Sequence, residues 1–114
     1  MPTRPLSTER RPVKEYDIFV PINYNDGTAV EASKLVRIQT FLLEHFEGLT
    51  YFPQPNDGFW KMGAVTFRDE IVIYRVLASN VRTARRHLRA LKRELMEILE
   101  QEEILIIERD VETL

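Results

Sequence analysis

Ile71-Val72-Ile73-Tyr74-Arg75-Val76-Leu77 is apolar at nearly every position. A short run so rich in β-branched and aromatic residues predicts a strand covered on both faces, and therefore a central one. Downstream, Asn80 is a good helix N-cap. Val81, Ala84, Leu88, Leu91, Leu95 and Ile98 then alternate at three- and four-residue spacing. That spacing predicts a long amphipathic helix ending near Gln101. Ile104-Leu105-Ile106-Ile107 reads as the last strand, which Glu108 to Leu114 can extend.

Upstream, Arg68-Asp69-Glu70 reads as a tight connection to an earlier strand, Phe59 to Phe67, bulged around Gly63. Pro53 to Gly58 reads as a loop. Before it, Thr28-Ala29-Val30-Glu31 has capping-box spacing. Leu35, Ile38, Leu42 and Phe46 recur behind it as the buried stripe of a first helix. Gly48 is placed to end that helix in a left-handed conformation, with Leu49 folding back. The first strand is Tyr16 to Ile22, with Ile18, Val20 and Ile22 on one face and Asp17, Phe19 and Pro21 on the other. Asn23 to Gly27 is a turn cluster.

The resulting order, β-α-β-β-α-β, predicts an α+β ferredoxin-like sandwich. Its antiparallel sheet has the order 4-1-3-2, with both helices on one face. The single domain spans residues 15–114. Residues 1–14, with three prolines and many polar residues, read as a flexible arm. The arm has basic residues but no apolar stretch behind them, so it is not a secretory signal.

Composition narrows the function classes. The 114 residues carry 44% hydrophobic and 30% charged residues with a net charge of −2, an ordinary globular balance that does not attract polyanions as a whole. There is no cysteine, which excludes disulfides, thiol catalysis and thiolate metal sites and fits a cytoplasmic protein. No stretch is long and apolar enough to span a membrane. No cofactor motif is present, and the loop acids Asp26, Asp69, Glu70, Glu100, Glu102 and Glu103, with Asn25 grouped beside them, match no metal-binding spacing, so no metal or other cofactor is expected.

Three sets of residues are candidates for function. His45, Asp57 and Tyr74 are the candidate proton carriers, with Trp60 and Arg82 expected at the same end of the sheet as His45 and Asp57. The two Asn-Asp-Gly turns, at 25–27 and 56–58, are expected at opposite ends. Phe19, Trp60 and Tyr74, with Val72 and Met62, are candidates for the sheet face that the helices leave open. A face so apolar is expected to be covered by a second copy, giving a homodimer, or by another protein or a small ligand.

The third set is basic. Arg82, Arg85, Arg86, His87, Arg89, Lys92 and Arg93 open the second helix with no acid among them, and Glu94, Glu97 and Glu100 follow. This order opposes the helix dipole. A nucleic-acid backbone along residues 81–100 is one compensation. Antiparallel packing offers another, favoured by the acidic net charge. Arg82, Arg85 or Arg86 would then pair with Glu44 or Glu47, and Lys34 or Arg37 with Glu97 or Glu100.

Phe19-Val20-Pro21, Asn25-Asp26-Gly27, Phe46-Glu47-Gly48-Leu49-Thr50, Gly58-Phe59-Trp60 and Phe67-Arg68-Asp69-Glu70 together resemble a small bacterial family of uncharacterised proteins. That family has an FGGxT…GFW…YxD layout over a similar length. The resemblance covers most of residues 16–107, with Glu47 standing where the family tends to have glycine. It implies a ferredoxin-like fold and no activity. More distantly the architecture is similar to dimeric α/β-barrel proteins, which include small monooxygenases and isomerases, a likeness of fold alone.

Overall fold

A computed structural model describes residues 11–114, with side chains from Val13 onward. The elements are β1 (Arg11–Pro21), α1 (Ala32–His45), β2 (Leu49–Met62), β3 (Val65–Ala78), α2 (Val81–Ile98) and β4 (Ile106–Thr113). All strand pairs are antiparallel and the order is β2-β3-β1-β4, the expected ferredoxin-like arrangement with β3 central.

Alternation along the strands separates two faces. Tyr16, Ile18 and Val20 of β1 and Val72, Tyr74 and Val76 of β3 are buried. They share one core with Ile38, Leu42 and Phe46 from the first helical segment and Ala84, Leu88, Leu91 and Leu95 from α2. The stripes expected on both helices thus form the core. Asn80 caps α2, its side-chain oxygen accepting from the Thr83 N–H at 3.1 Å.

Several boundaries differ from the sequence reading, each for a local reason. β1 starts at Arg11, so residues 11–14 of the expected arm are strand, paired with Asp110–Thr113. The remainder of the arm, residues 1–10, lies outside the described residues. Residues 28–30 are not helical. Thr28 O accepts from the Tyr24 N–H and the Val30 N–H donates to Ile22 O, so they fold back on the end of β1. Glu31 becomes the N-cap residue of α1 without a side-chain cap, and no capping box forms. Gly48 does not have a positive φ; the chain leaves α1 through an extended Phe46 straight into β2.

The largest difference is the central hairpin. The turn is at Gly63-Ala64, not at Arg68-Asp69-Glu70. Gly63 has φ +60° and Ala64 is not left-handed, the pattern of a two-residue turn with glycine first. Pro53-Gln54-Pro55 is a bulge in β2 between the pairs Phe52–Ile73 and Asn56–Ile71, not a loop. An edge strand tolerates prolines that cannot donate to the ladder. Asn56-Asp57-Gly58 is likewise strand, paired with Asp69–Ile71.

β3 therefore runs for 14 residues, which at about 3.3 Å per residue spans ~46 Å. That length accounts for the long axis of the 50 × 31 × 26 Å molecule. β1 ends opposite Ile71. From residue 70 back to 65, β3 has β2 as its sole strand neighbour, and the two project as a ribbon.

Candidate functional site

The open face of the sheet divides into an apolar and a charged half. In the apolar half, Phe52, Ile73 and Phe19 lie side by side across β2, β3 and β1. Alternation along β3 then carries the same face through Ile71 to Phe67 and Val65 on the ribbon. Opposite them on β2 stand Trp60 and Met62. Gly58 sits on this face as well. A Cβ there would meet the Trp60 indole nitrogen at 3.6 Å and Ile71 Cδ1 at 3.9 Å, so both side chains pack over the glycine at ordinary contact distance. Met62, Val65, Phe67 and Trp60 are 63%, 54%, 49% and 39% exposed, a large apolar surface left in water. The ribbon's other face carries Phe59, Lys61, Thr66 and an Arg68–Asp57 ion pair at 2.8 Å.

The charged half is organised around Asp17, whose side chain is 3% exposed. Arg75 on β3 forks onto both its carboxylate oxygens, at 2.8 and 3.0 Å. Arg109 on β4 reaches it at 2.9 Å and Glu15 at 3.0 Å. Arg75, and then burial opposed by Arg109, leave the Asp17 carboxyl below the usual aspartate range. This Arg–Asp–Arg bridge ties β3, β1 and β4 together at one register. Arg75 also lies over the Phe52 ring, 5.0 Å from its centroid, which joins the two halves.

Of the residues expected on the open face, Phe19, Trp60 and Met62 are there. Val72 and Tyr74 are not. Tyr74 is fully buried on the helix side, stacked on Tyr51 with ring centroids 4.6 Å apart. Burial pushes its phenol up to about 12, so it stays protonated at neutral pH.

The expected catalytic group is dispersed. His45, at the end of α1, stacks on His87 of α2 with centroids 4.0 Å apart and lies beside Phe41. Desolvation, then the charges of His45 and Arg86, hold His87 below the usual histidine range. Asp57 pairs with Glu70, six residues along β3 from the Val76 opposite Leu49, just after α1. It is therefore ~20 Å down the strand from His45's end of the sheet. The Ile22 N–H bonds to Glu70 O, so Asp57 and the turn at Asn25-Asp26-Gly27 lie at the same end, not at opposite ends. The hairpin turn at Gly63-Ala64, in place of one at Arg68-Asp69-Glu70, accounts for this difference and carries Trp60 to the same end.

The helix charges also pair differently from expectation. Arg85 forks onto Glu108 of β4, at 2.8 Å for each contact, and Tyr16 donates to the same carboxylate. Arg85 first, then Tyr16, hold Glu108 down to about 2. Arg37 pairs with Glu94, and Lys34 pairs with Glu31 while donating to Ile98 O at 3.0 Å. Among the described residues, none of Arg82, Arg85 and Arg86 pairs with Glu44 or Glu47. Arg85 instead borders a groove of about 360 Å³ between α2 and β4, with Arg89, Lys92 and Ile106.

Among the loop acids, Asp26 accepts from Thr28 within its own turn and Glu103 pairs with Lys92 at 2.6 Å. No helix among the described residues is long and apolar enough to cross a membrane.

No family model and no curated protein matches the sequence. Among solved structures, the fold is similar to that of a phage SAM lyase in complex with S-methyl-5'-thioadenosine. The two share 13% identity and a TM-score of 0.64, over 89% of this chain and 88% of the other.

Proposed function

We propose that the chain is a homodimeric binding and assembly module that closes its open sheet face, including the β2–β3 ribbon, against a second copy. The observation that carries this reading is the ribbon. It is two strands wide, projects beyond β1, and turns Trp60, Met62, Val65 and Phe67 to one exposed side. A two-stranded hairpin is marginal in water without something packed on its apolar face. A contiguous exposed apolar patch is the usual mark of an interface. A two-fold axis would bring the patch onto itself, as most small homo-oligomers do. The proposed setting is the cytoplasm, since a chain without cysteine draws no stability from an oxidising compartment. Light scattering at micromolar concentration should give about twice 13.5 kDa. A mass equal to one chain would remove this function.

The likeness to a lyase holding S-methyl-5'-thioadenosine favours a second reading, a small-ligand site on the same face. Phe52, Ile73 and Phe19 would floor it and Arg75 would border it. Such a site takes a flat heterocycle on its apolar floor. Millimolar S-methyl-5'-thioadenosine should then raise the melting temperature; at a hundredfold excess over Kd the gain is ~2.7 kcal/mol. An unmoved melting curve would end this reading and leave the assembly reading standing.

A further inference from the structure

Assembly through the sheet leaves one feature of the helix layer unused. Arg82, Arg86, Arg89 and Arg93 follow at intervals of four, three and four residues, which places them on one face of α2. All four are exposed. Among the described residues, none of them has an ion-pair partner. Of the other described lysine and arginine side chains, all but Lys61 sit against a carboxylate. Apart from Lys61, the unneutralised positive charge of the described surface is thus gathered into one row. The first turn of α2 contains no acid, so the row begins where the helix's own partial positive charge lies. Arg82 with Arg86, and Arg89 with Arg93, are like charges four residues apart, an unfavourable arrangement that an anion would relieve.

We propose that this row binds the phosphate backbone of a nucleic acid. At 1.5 Å rise per residue, successive arginines advance ~4.5–6 Å, giving a straight row ~16 Å long that can follow one strand. All four are arginine, whose planar fork pairs with phosphate oxygens through two N–H groups. Ala90 is the small apolar residue between them, so the row has no bulky side chain to insert into a bilayer. It has no aromatic to stack on a base either, and so reads charge rather than sequence. Glu97 and Glu100 continue the stripe toward the C-terminal end and repel phosphate. The contact is therefore confined to the first two-thirds of the helix, about four phosphates, and is compatible with a net charge of −2.

Fluorescence anisotropy of the full chain with a labelled mixed-sequence oligonucleotide, single-stranded or duplex, tests this. Four released counterions predict that binding weakens roughly 50-fold on single strands and 150-fold on duplex between about 50 and 200 mM salt. Arg89→Gln should lower the log–log salt slope by about one. Replacing all four arginines by glutamine should abolish binding without lowering the urea midpoint, because the side chains have no ion-pair partners in the fold and their loss relieves the repulsion along the row. The proposal is overturned by no anisotropy change at the lower salt, or by binding that survives the fourfold variant. It is also overturned if polyglutamate displaces the probe as effectively as unlabelled oligonucleotide at equal charge, which would assign the row to an acidic protein segment.

Discussion

The double variant Trp60→Glu/Phe67→Glu is expected to run as a monomer of 13.5 kDa at concentrations where the parent chain is a dimer. Trp60 and Phe67 are a directly opposed pair on the apolar side of the ribbon. A two-fold interface buries each of them twice. Large apolar side chains contribute ~1.5–3 kcal/mol each on full burial, and these two start 39% and 49% exposed, so the four account for ~3–5 kcal/mol. The dissociation constant should then rise at least about a hundredfold. Burying four carboxylates in their place would raise the cost further. The ribbon lies beyond the core, so the monomer should keep the helical part of its far-ultraviolet circular dichroism.

Phe59→Glu is the control. Phe59 is more exposed than either residue, at 65%, but alternation puts it on the opposite side, with Lys61 and Arg68. Its substitution should leave the dimer intact. If Phe59→Glu dissociates the chain and the double variant does not, the interface is on the wrong side of the ribbon. If neither does, the ribbon is no interface.

The sequence shows the fold where burial is one-sided and the period is clear. α2 is legible from Asn80 and its leucines, and β3 from an apolar run interrupted only by Arg75, because both lie over the core. The ribbon was not legible because it leaves the core. Outside the core, nothing forces Arg68, Asp69 and Glu70 to look like strand; three polar residues on an exposed strand resemble a turn. In the sequence Gly63 reads as a bulge, although a glycine opening a two-residue hairpin gives the same local signal. That single shift moved Asp57 and Trp60 to the wrong end of the sheet and made a catalytic group out of residues that do not meet. The sequence alone puts Tyr74 among the candidates for the open face, because fixing strand register needs both ladders at once. The Arg–Asp–Arg bridge was missed for a related reason. Asp17, Arg75 and Arg109 are far apart in sequence, and the registers Asp17–Arg75 and Glu15–Arg109 bring them together. A signal was present: Asp17 is a charged residue inside an otherwise apolar strand, and such a residue needs a partner.

That bridge supports the second large effect. Asp17→Asn is expected to destabilise the domain by ~2–3 kcal/mol. Breaking one partner of a buried pair costs about 3–5 kcal/mol. The lower end applies because Arg75 and Arg109 are 36% and 42% exposed, and water relieves part of their unpaired charge. Glu15 remains to neutralise one guanidinium. The sign of the pH dependence follows from the folded carboxyl being below its unfolded value. Its contribution is complete above the ordinary aspartate value, about 3.9, and disappears as pH falls through the lower folded value. Urea unfolding at a series of pH values should therefore show a constant gap between parent and Asp17→Asn from neutral pH down to about 5, closing below about 4. Glu108, held near 2, is present in both proteins, so its own acid loss cancels in the difference. A cost under ~1 kcal/mol would mean the bridge acts like an exposed ion pair. A gap that persists undiminished at the acid end would mean the loss comes from shape or hydrogen bonding at position 17 and not from its charge.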